Sequence, residues 1–233
     1  ENPDVRTVGG ELRSALEQIL GGTVELTVGG RTDAGVHAAG QVVSFRSDSS
    51  RLDCERLVGA LNSICSTDIR EQAVTAVDDD FNARFSATER MYHYFILNAP
   101  QADPLLADLE WHIPEPLDLD AMNHAASLFL GEHDFTSFCR RPKGQPESLL
   151  VRRIHSAKWV AHNRERIYFE ISANAFCHQM VRSLTGFCVA VGSGKCDAET
   201  FEAVLGARDR SAAPPIAPPH GLVLKHVTYG KTD

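Results

Sequence analysis

The sequence predicts an α+β protein built from two halves of the ferredoxin-like, βαββαβ kind. Three observations lead there. The second half reads strand, helix, strand, strand, helix, strand, which is the split βαβ order. The first half reads helix, strand, strand, helix, strand, the same order short of one leading strand. A chain of 233 residues with 43% apolar residues can bury the core of one large domain or two modest ones. The halves divide near residue 100, giving 1–100 with an Asp-bearing loop and 101–233.

Residues 8–20, VGGELRSALEQIL, set Leu12, Ala15, Leu16 and Ile19 at helical spacing, and Gly21-Gly22 stops the helix. TVELTV (23–28) and QVVSFR (41–46) alternate as strands. Between them, Gly29, Gly30 and Gly35 make a loop around Asp33. Leu52, Leu57, Leu61 and Ile64 define a second helix, and an apolar run around Val74 reads as a strand. RMYHYFIL (90–97) opens the second half, followed by a helix over 118–130 that Gly131 closes, and strands over 149–160 and 166–172. NAFCHQMVRSLTGFCVAVG is apolar on most of its circumference and reads as a buried helix. A short helix (197–205) and a Pro-rich loop lead to the last strand, GLVLKHVTY. The missing leading strand of the first half is read as residues lost before Glu1.

No run approaches the roughly 18 apolar residues of a membrane span, and the start lacks the basic flank and apolar stretch of a secretion signal, so a cytoplasmic location is expected. The six cysteines show no C-x-x-C pair or zinc spacing, and reduced, mostly buried thiols are expected. A formal charge of −8 argues mildly against a nucleic-acid partner, but local patches decide such binding.

Three constellations could carry chemistry. An Asp in a Gly-flanked loop is ordinarily an Asx turn or a cap. Here Arg31 can reach a phosphate or base and Gly35 leaves the carboxylate open to approach, so Asp33 is a candidate nucleophile, general base or metal ligand. His37 suggests a metal pair, but no second ligand cluster accompanies it. In FNARFSATERMYHYFILN, alternation puts Arg90, Tyr92, Tyr94 and Ile96 on one face and Met91, His93, Phe95 and Leu97 on the other. That is a two-sided core strand, or, with Arg84 nearby, aromatics beside arginines that stack an unpaired base and hold its phosphate. In the third, Arg182 sits in a nearly all-apolar helix; a buried guanidinium needs an acid, and Asp33 is the partner chosen for it. GEHDFTSFC reads as a capping loop, and CRRPKGQPE with Arg152, Arg153, Arg164 and Arg166 as a basic surface. VGSGK fails the phosphate-loop spacing.

GRTDAGVHAAGQVVSF, FNARFSATERMYHY, GEHDFTSFC, NAFCHQMVRSLTG and PPHGLVLKHVTY together resemble, in order and spacing from about Arg6 to Tyr229, the tRNA pseudouridine synthases of the TruA type. The resemblance implies a pseudouridine synthase fold, two βαββαβ halves with joined, mainly antiparallel sheets and a basic cleft between them. It implies a homodimer that takes tRNA and isomerises uridine to pseudouridine at positions 38–40 of the anticodon stem-loop, with no metal or organic cofactor. Family members begin with a strand and a Gly-Trp-Gln segment that this chain lacks. By the same resemblance Asp33 is the catalytic aspartate and Arg31 helps displace the target nucleotide. Tyr92 stacks on the flipped base and handles the C5 proton, Arg182 keeps Asp33 ionised, and Leu222 and Leu224 wall the uracil pocket. Arg84 is expected to contact the substrate.

Two other readings compete. A non-catalytic RNA-binding module on a ferredoxin-like sheet explains the aromatics and arginines but not the Asp33 loop. A metal-dependent hydrolase using Asp33 and His37 explains the loop but neither Tyr92 nor Arg182.

Overall fold

In the computed structural model, which describes residues 5–47, 52–141 and 150–230, Thr7 opens helix α1 (Val8–Leu20) by accepting the Gly10 amide at 3.0 Å. Along the described residues there follow β1 (Thr27–Val28), β2 (His37–Ala38), β3 (Val43–Ser44), α2 (Cys54–Ile64), β4 (Ala87–Asn98), β5 (Trp111–Ile113), α3 (Leu119–Ser127) and β6 (Gly131–Asp134). Then come β7 (Val151–Ala161), β8 (Arg166–Ala173), α4 (Met180–Gly192), α5 (Thr200–Ala207) and β9 (Leu222–Tyr229). The architecture is α+β. The chain forms two units, one of Glu1–Gly30 and Val42–Ser86, the other of Arg31–Gln41 and Ala87–Asp233.

In the first unit the apolar stripes of α1 and α2 meet. Leu12, Ala15 and Leu16 pack with Leu57, Leu61 and Cys65 in one buried cluster that also holds Val24 and Ile69. Asp53 caps α2 by accepting the amides of Glu55 and Arg56. β1 and β3 pair antiparallel, Thr27 opposite Ser44. The strands expected over 23–28 and 41–46 therefore shrink to two residues each, and the segment around Val74 joins no ladder among the described residues. Leu26, Val43, Phe45 and Val74 do pack on the cluster. Their alternation reports one buried face of an extended chain, whereas a strand also needs a neighbouring backbone to bond.

The second unit holds a seven-stranded sheet whose path runs β2-β9-β4-β8-β7-β6, with β5 on β4. In its four long strands, β9-β4-β8-β7, each neighbouring pair is antiparallel, and they follow the split βαβ order expected for the second half. In β4 the alternation holds as far as Ile96: Arg90, Tyr92, Tyr94 and Ile96 are buried, and Met91, His93 and Phe95 are half-buried, but Leu97, expected on the second face, is buried as well. α3, capped by Asp118, packs on α4 and β7. Phe129, just past α3, meets Phe169 of β8 and Phe187 of α4 edge-on, which places the helices over the buried face.

Two differences bear on the site. The helix read from residue 174 begins at Met180, because Gln179 has φ 68°, a left-handed backbone that no helix continues through. Of the six cysteines, Cys54, Cys65, Cys188 and Cys196 are free, but Cys139 and Cys177 form a disulfide with Cα atoms 5.8 Å apart. The expectation of six reduced thiols is corrected there. A pair 38 residues apart leaves no spacing signal in the sequence.

Candidate active site

The Asp33 loop belongs to the same unit as the sheet, and β9 is what fastens it. His37 and Ala38 pair in parallel with Val223 and Leu224, and the amides of Ala39 and Gly40 both donate to the Leu224 carbonyl, at 2.8 and 3.2 Å. Ahead of β2 the chain turns sharply: the Val36 amide donates to the Asp33 carbonyl at 3.1 Å. Gly35 has φ 81°, where a side chain would be strained and would press on the Pro219 ring. The Pro-rich segment is therefore the wall behind the loop, and the Tyr94 hydroxyl fixes it by donating to the Pro218 carbonyl at 2.8 Å.

The carboxylate is held at both oxygens. Arg182 Nη1 donates to Asp33 Oδ2 at 2.7 Å, a charge-assisted bond between residues 149 apart in sequence. Arg182 is itself oriented: its Nε donates to the Ala217 carbonyl at 2.8 Å, and the Ala217 amide returns a bond to the Arg182 carbonyl at 3.1 Å. Its side chain is 12% exposed and that of Asp33 is 23% exposed, so the pair is largely sheltered yet reachable. This is the acid that a guanidinium in an apolar helix needs. The other oxygen, Oδ1, lies 3.0 Å from His178 Nε2. His178 was not a sequence candidate. Its spacing, four residues before Arg182, is no signal either, because α4 begins only at Met180 and left-handed Gln179 stands between them.

Tyr92 sits on β4 opposite Leu224 of β9, 6% exposed, with its ring edge-on to Phe176 at 5.3 Å. Burial pushes its phenol up to about 12; the charge of Arg90 opposes the shift and that of Asp33 adds to it. A neutral hydroxyl at physiological pH follows. Leu222 and Leu224 are buried and, by register with Tyr94 and Tyr92, share that face. Arg31 is exposed two residues before Asp33. Arg84 lies in the other unit, exposed, with its guanidinium 5.3 Å from the centre of the Phe85 ring. Arg140 and Arg141 are exposed, and the Arg140 amide donates to the His178 carbonyl at 2.9 Å. Lys143, also expected on the basic surface, lies outside the described residues. His37 does not face Asp33's carboxylate as a co-ligand; its Nε2 is 2.8 Å from the Asp108 carbonyl. Among the described residues no three His, Cys, Asp or Glu side chains converge as a metal site.

The GEHDFTSFC segment supports this region from behind. Asp134 accepts the Thr136 hydroxyl and amide and the Leu150 amide, which shapes the 3-10 turn Thr136–Phe138 leading to Cys139. Burial alone would raise the Asp134 carboxyl, but those hydrogen bonds and Arg208 outweigh it and hold it below the ordinary aspartate range.

Residues 125–230 match the family model described as tRNA pseudouridine synthase. Over 227 residues the chain is 38% identical to tRNA pseudouridine synthase A of Thermotoga sp. (strain RQ2), covering 97% of this chain and 91% of that protein. It is 40% identical over 227 residues to the enzyme of the same name from Thermosipho africanus, with the same coverage. To that of Moorella thermoacetica it is 40% identical over 223 residues, 96% of this chain and 89% of that protein. A likeness at this level over nearly the whole length, joined to a sheltered Asp-Arg pair in the RTDAG and MVRSLTG segments, means that the chain belongs to the tRNA pseudouridine synthase A family.

Proposed function

We propose that this protein isomerises uridine to pseudouridine in tRNA, with Asp33 as the catalytic carboxylate. The observation that carries the reading is the Asp33 carboxylate, gripped by Arg182 at 2.7 Å in the unit where Tyr92 feels its charge. The reaction breaks the bond from C1' to N1, turns the freed uracil and joins C5 to C1'. The C5 proton leaves and N1 gains one, so no oxidant, reductant or water is consumed. Asp33 either adds to C1' and is later displaced by C5, or removes a sugar proton to start the cleavage. Arg182 holds the negative charge in place in either case.

Neither C1' nor C5 is reachable in a stacked base, so the nucleotide must leave the stack. In this reading Arg31 fills the space that it vacates. Tyr92 lies against the flipped uracil, and its neutral hydroxyl handles the C5 proton. Leu222 and Leu224 supply the apolar wall, and Arg84 contacts the RNA outside the pocket. The target is the anticodon stem-loop, at positions 38–40. The enzyme works as a homodimer in the cytoplasm, and the chain's two halves, 1–100 and 101–233, are a structural repeat. No helix among the described residues is long and apolar enough to cross a membrane.

The test is direct. The protein is incubated with tRNA transcripts, and pseudouridine is mapped by chemical modification and reverse transcription, beside Asp33→Asn. New pseudouridine at positions 38–40 with the parent chain and none with the variant is expected. Tight tRNA binding with every uridine unchanged would instead identify a non-catalytic RNA-binding module.

A further inference from the structure

We infer that His178 is a positioning residue for the catalytic carboxylate, fixing its orientation from the side opposite Arg182. The inference rests on Asp33 being the catalytic group. Arg182 alone would hold Asp33 as a hinge: one bond to Oδ2 leaves the carboxylate free to turn about its last torsion, a broad and softly restrained one. The second contact removes that freedom. His178 Nε2 lies 3.0 Å from Oδ1, so each oxygen has its own partner, and each keeps a further lone pair for the reaction.

The turn that carries His178 is held on every side. Cys177, immediately before it, is joined to Cys139. Gln179, immediately after it, is held at φ 68°, a conformation costing about 1–2 kcal/mol for a residue with a Cβ. The His178 carbonyl accepts the Arg140 amide at 2.9 Å and the Cys177 carbonyl accepts the Met180 amide at 3.1 Å. A strained residue persists only where its surroundings determine it. Here the outcome is to end the approach to α4 one residue early and aim the imidazole at Asp33, while its side chain remains 49% exposed at the mouth of the site. Two clamps thus converge on one carboxylate: α4 and the Pro-rich segment from within, and the Cys139–Cys177 turn from the rim.

Because His178 is half-exposed, its replacement leaves the core intact, and the test is kinetic. Single-turnover rates at saturating tRNA and tRNA dissociation constants are measured for the parent chain, His178→Phe, His178→Gln and Asp33→Asn. His178→Phe removes the ring nitrogen that meets Oδ1 and should slow the chemical step by about 10- to 100-fold, the range expected when a reacting group is misplaced by about an ångström. Its tRNA affinity should stay within about twofold of the parent's, since the contact is made to the enzyme's own carboxylate. His178→Gln offers an amide nitrogen at similar reach and should restore the rate to within about threefold of the parent. With Asp33→Asn inactive, a parental rate in His178→Phe, a glutamine variant as slow as the phenylalanine one, or a loss seen only in tRNA affinity each overturns the positioning role alone. An active Asp33→Asn overturns the catalytic aspartate and this inference with it.

Discussion

At the scale of single residues, the site is a set of charges and hydroxyls whose surroundings fix their roles. Asp33→Asn keeps the shape of the side chain but supplies neither a nucleophile nor a base, so the variant should fold normally and form no detectable pseudouridine. Arg182→Met removes the bond to Oδ2 and the one to the Ala217 carbonyl; turnover should fall by about 100-fold or more, and the melting temperature should fall with it. Intact turnover in that variant would detach Arg182 from the site. Tyr92→Phe separates the ring from the hydroxyl: tRNA binding should survive and completion of the isomerisation should fail. The Asp33 and Arg182 pairing was readable in the sequence because a cation in an apolar helix demands an acid. The third member was not, because His178 looks like one more residue of a helix until Gln179 breaks it.

Among elements, the best-read ones were long and strongly periodic. α1, α2 and β4 appear close to the expected places because each buries one continuous stripe or one alternating face. The short strands β2, β5 and β6 exist through pairing with distant segments, a relation that local periodicity does not carry. Three element-scale predictions follow from packing and charge. Gly186 of α4 faces the Pro215 carbonyl so closely that an added Cβ would displace the segment through Ala217, which orients Arg182. Gly186→Ala should therefore destabilise the fold by about 1–3 kcal/mol and slow catalysis. Gly59→Ala on α2, where nothing lies within 4 Å of the new atom, should be neutral or stabilising by up to about 1 kcal/mol. Asp134 titrates lower folded than unfolded. Between those two values the unfolded chain binds the extra proton, so the group's contribution is fully present above its unfolded pKa, near 3.9, and is lost as pH falls through the lower folded value. Asp134→Asn should cost about 1–3 kcal/mol by thermal melting at about pH 7, and the difference should narrow at about pH 3.

For the molecule as a whole, a formal charge of −8 and an RNA substrate are reconciled only by uneven distribution. If Arg31, Arg84, Arg140, Arg141 and Lys143 each meet a phosphate, a plot of log affinity for tRNA against log salt should have a slope of about −4. A flat plot would leave the phosphates without these partners. Composition could not foretell this, since it averages over patches, whereas five motifs in register carried the family from sequence alone. The union of the loop 31–41 with β9 has a temporal meaning as well. Early residues that hold the Asp33 carboxylate find their backbone partners at Val223 and Leu224, and their cation at Arg182. During synthesis the ribosome releases Asp33 well before any of these, at about 5–20 residues per second, so the loop waits on the order of ten seconds or more for the β9 backbone that fastens it. If Asp33 is the catalytic carboxylate, a nascent chain that stops short of β9 carries the reacting group on a loop without the backbone partners that fasten it.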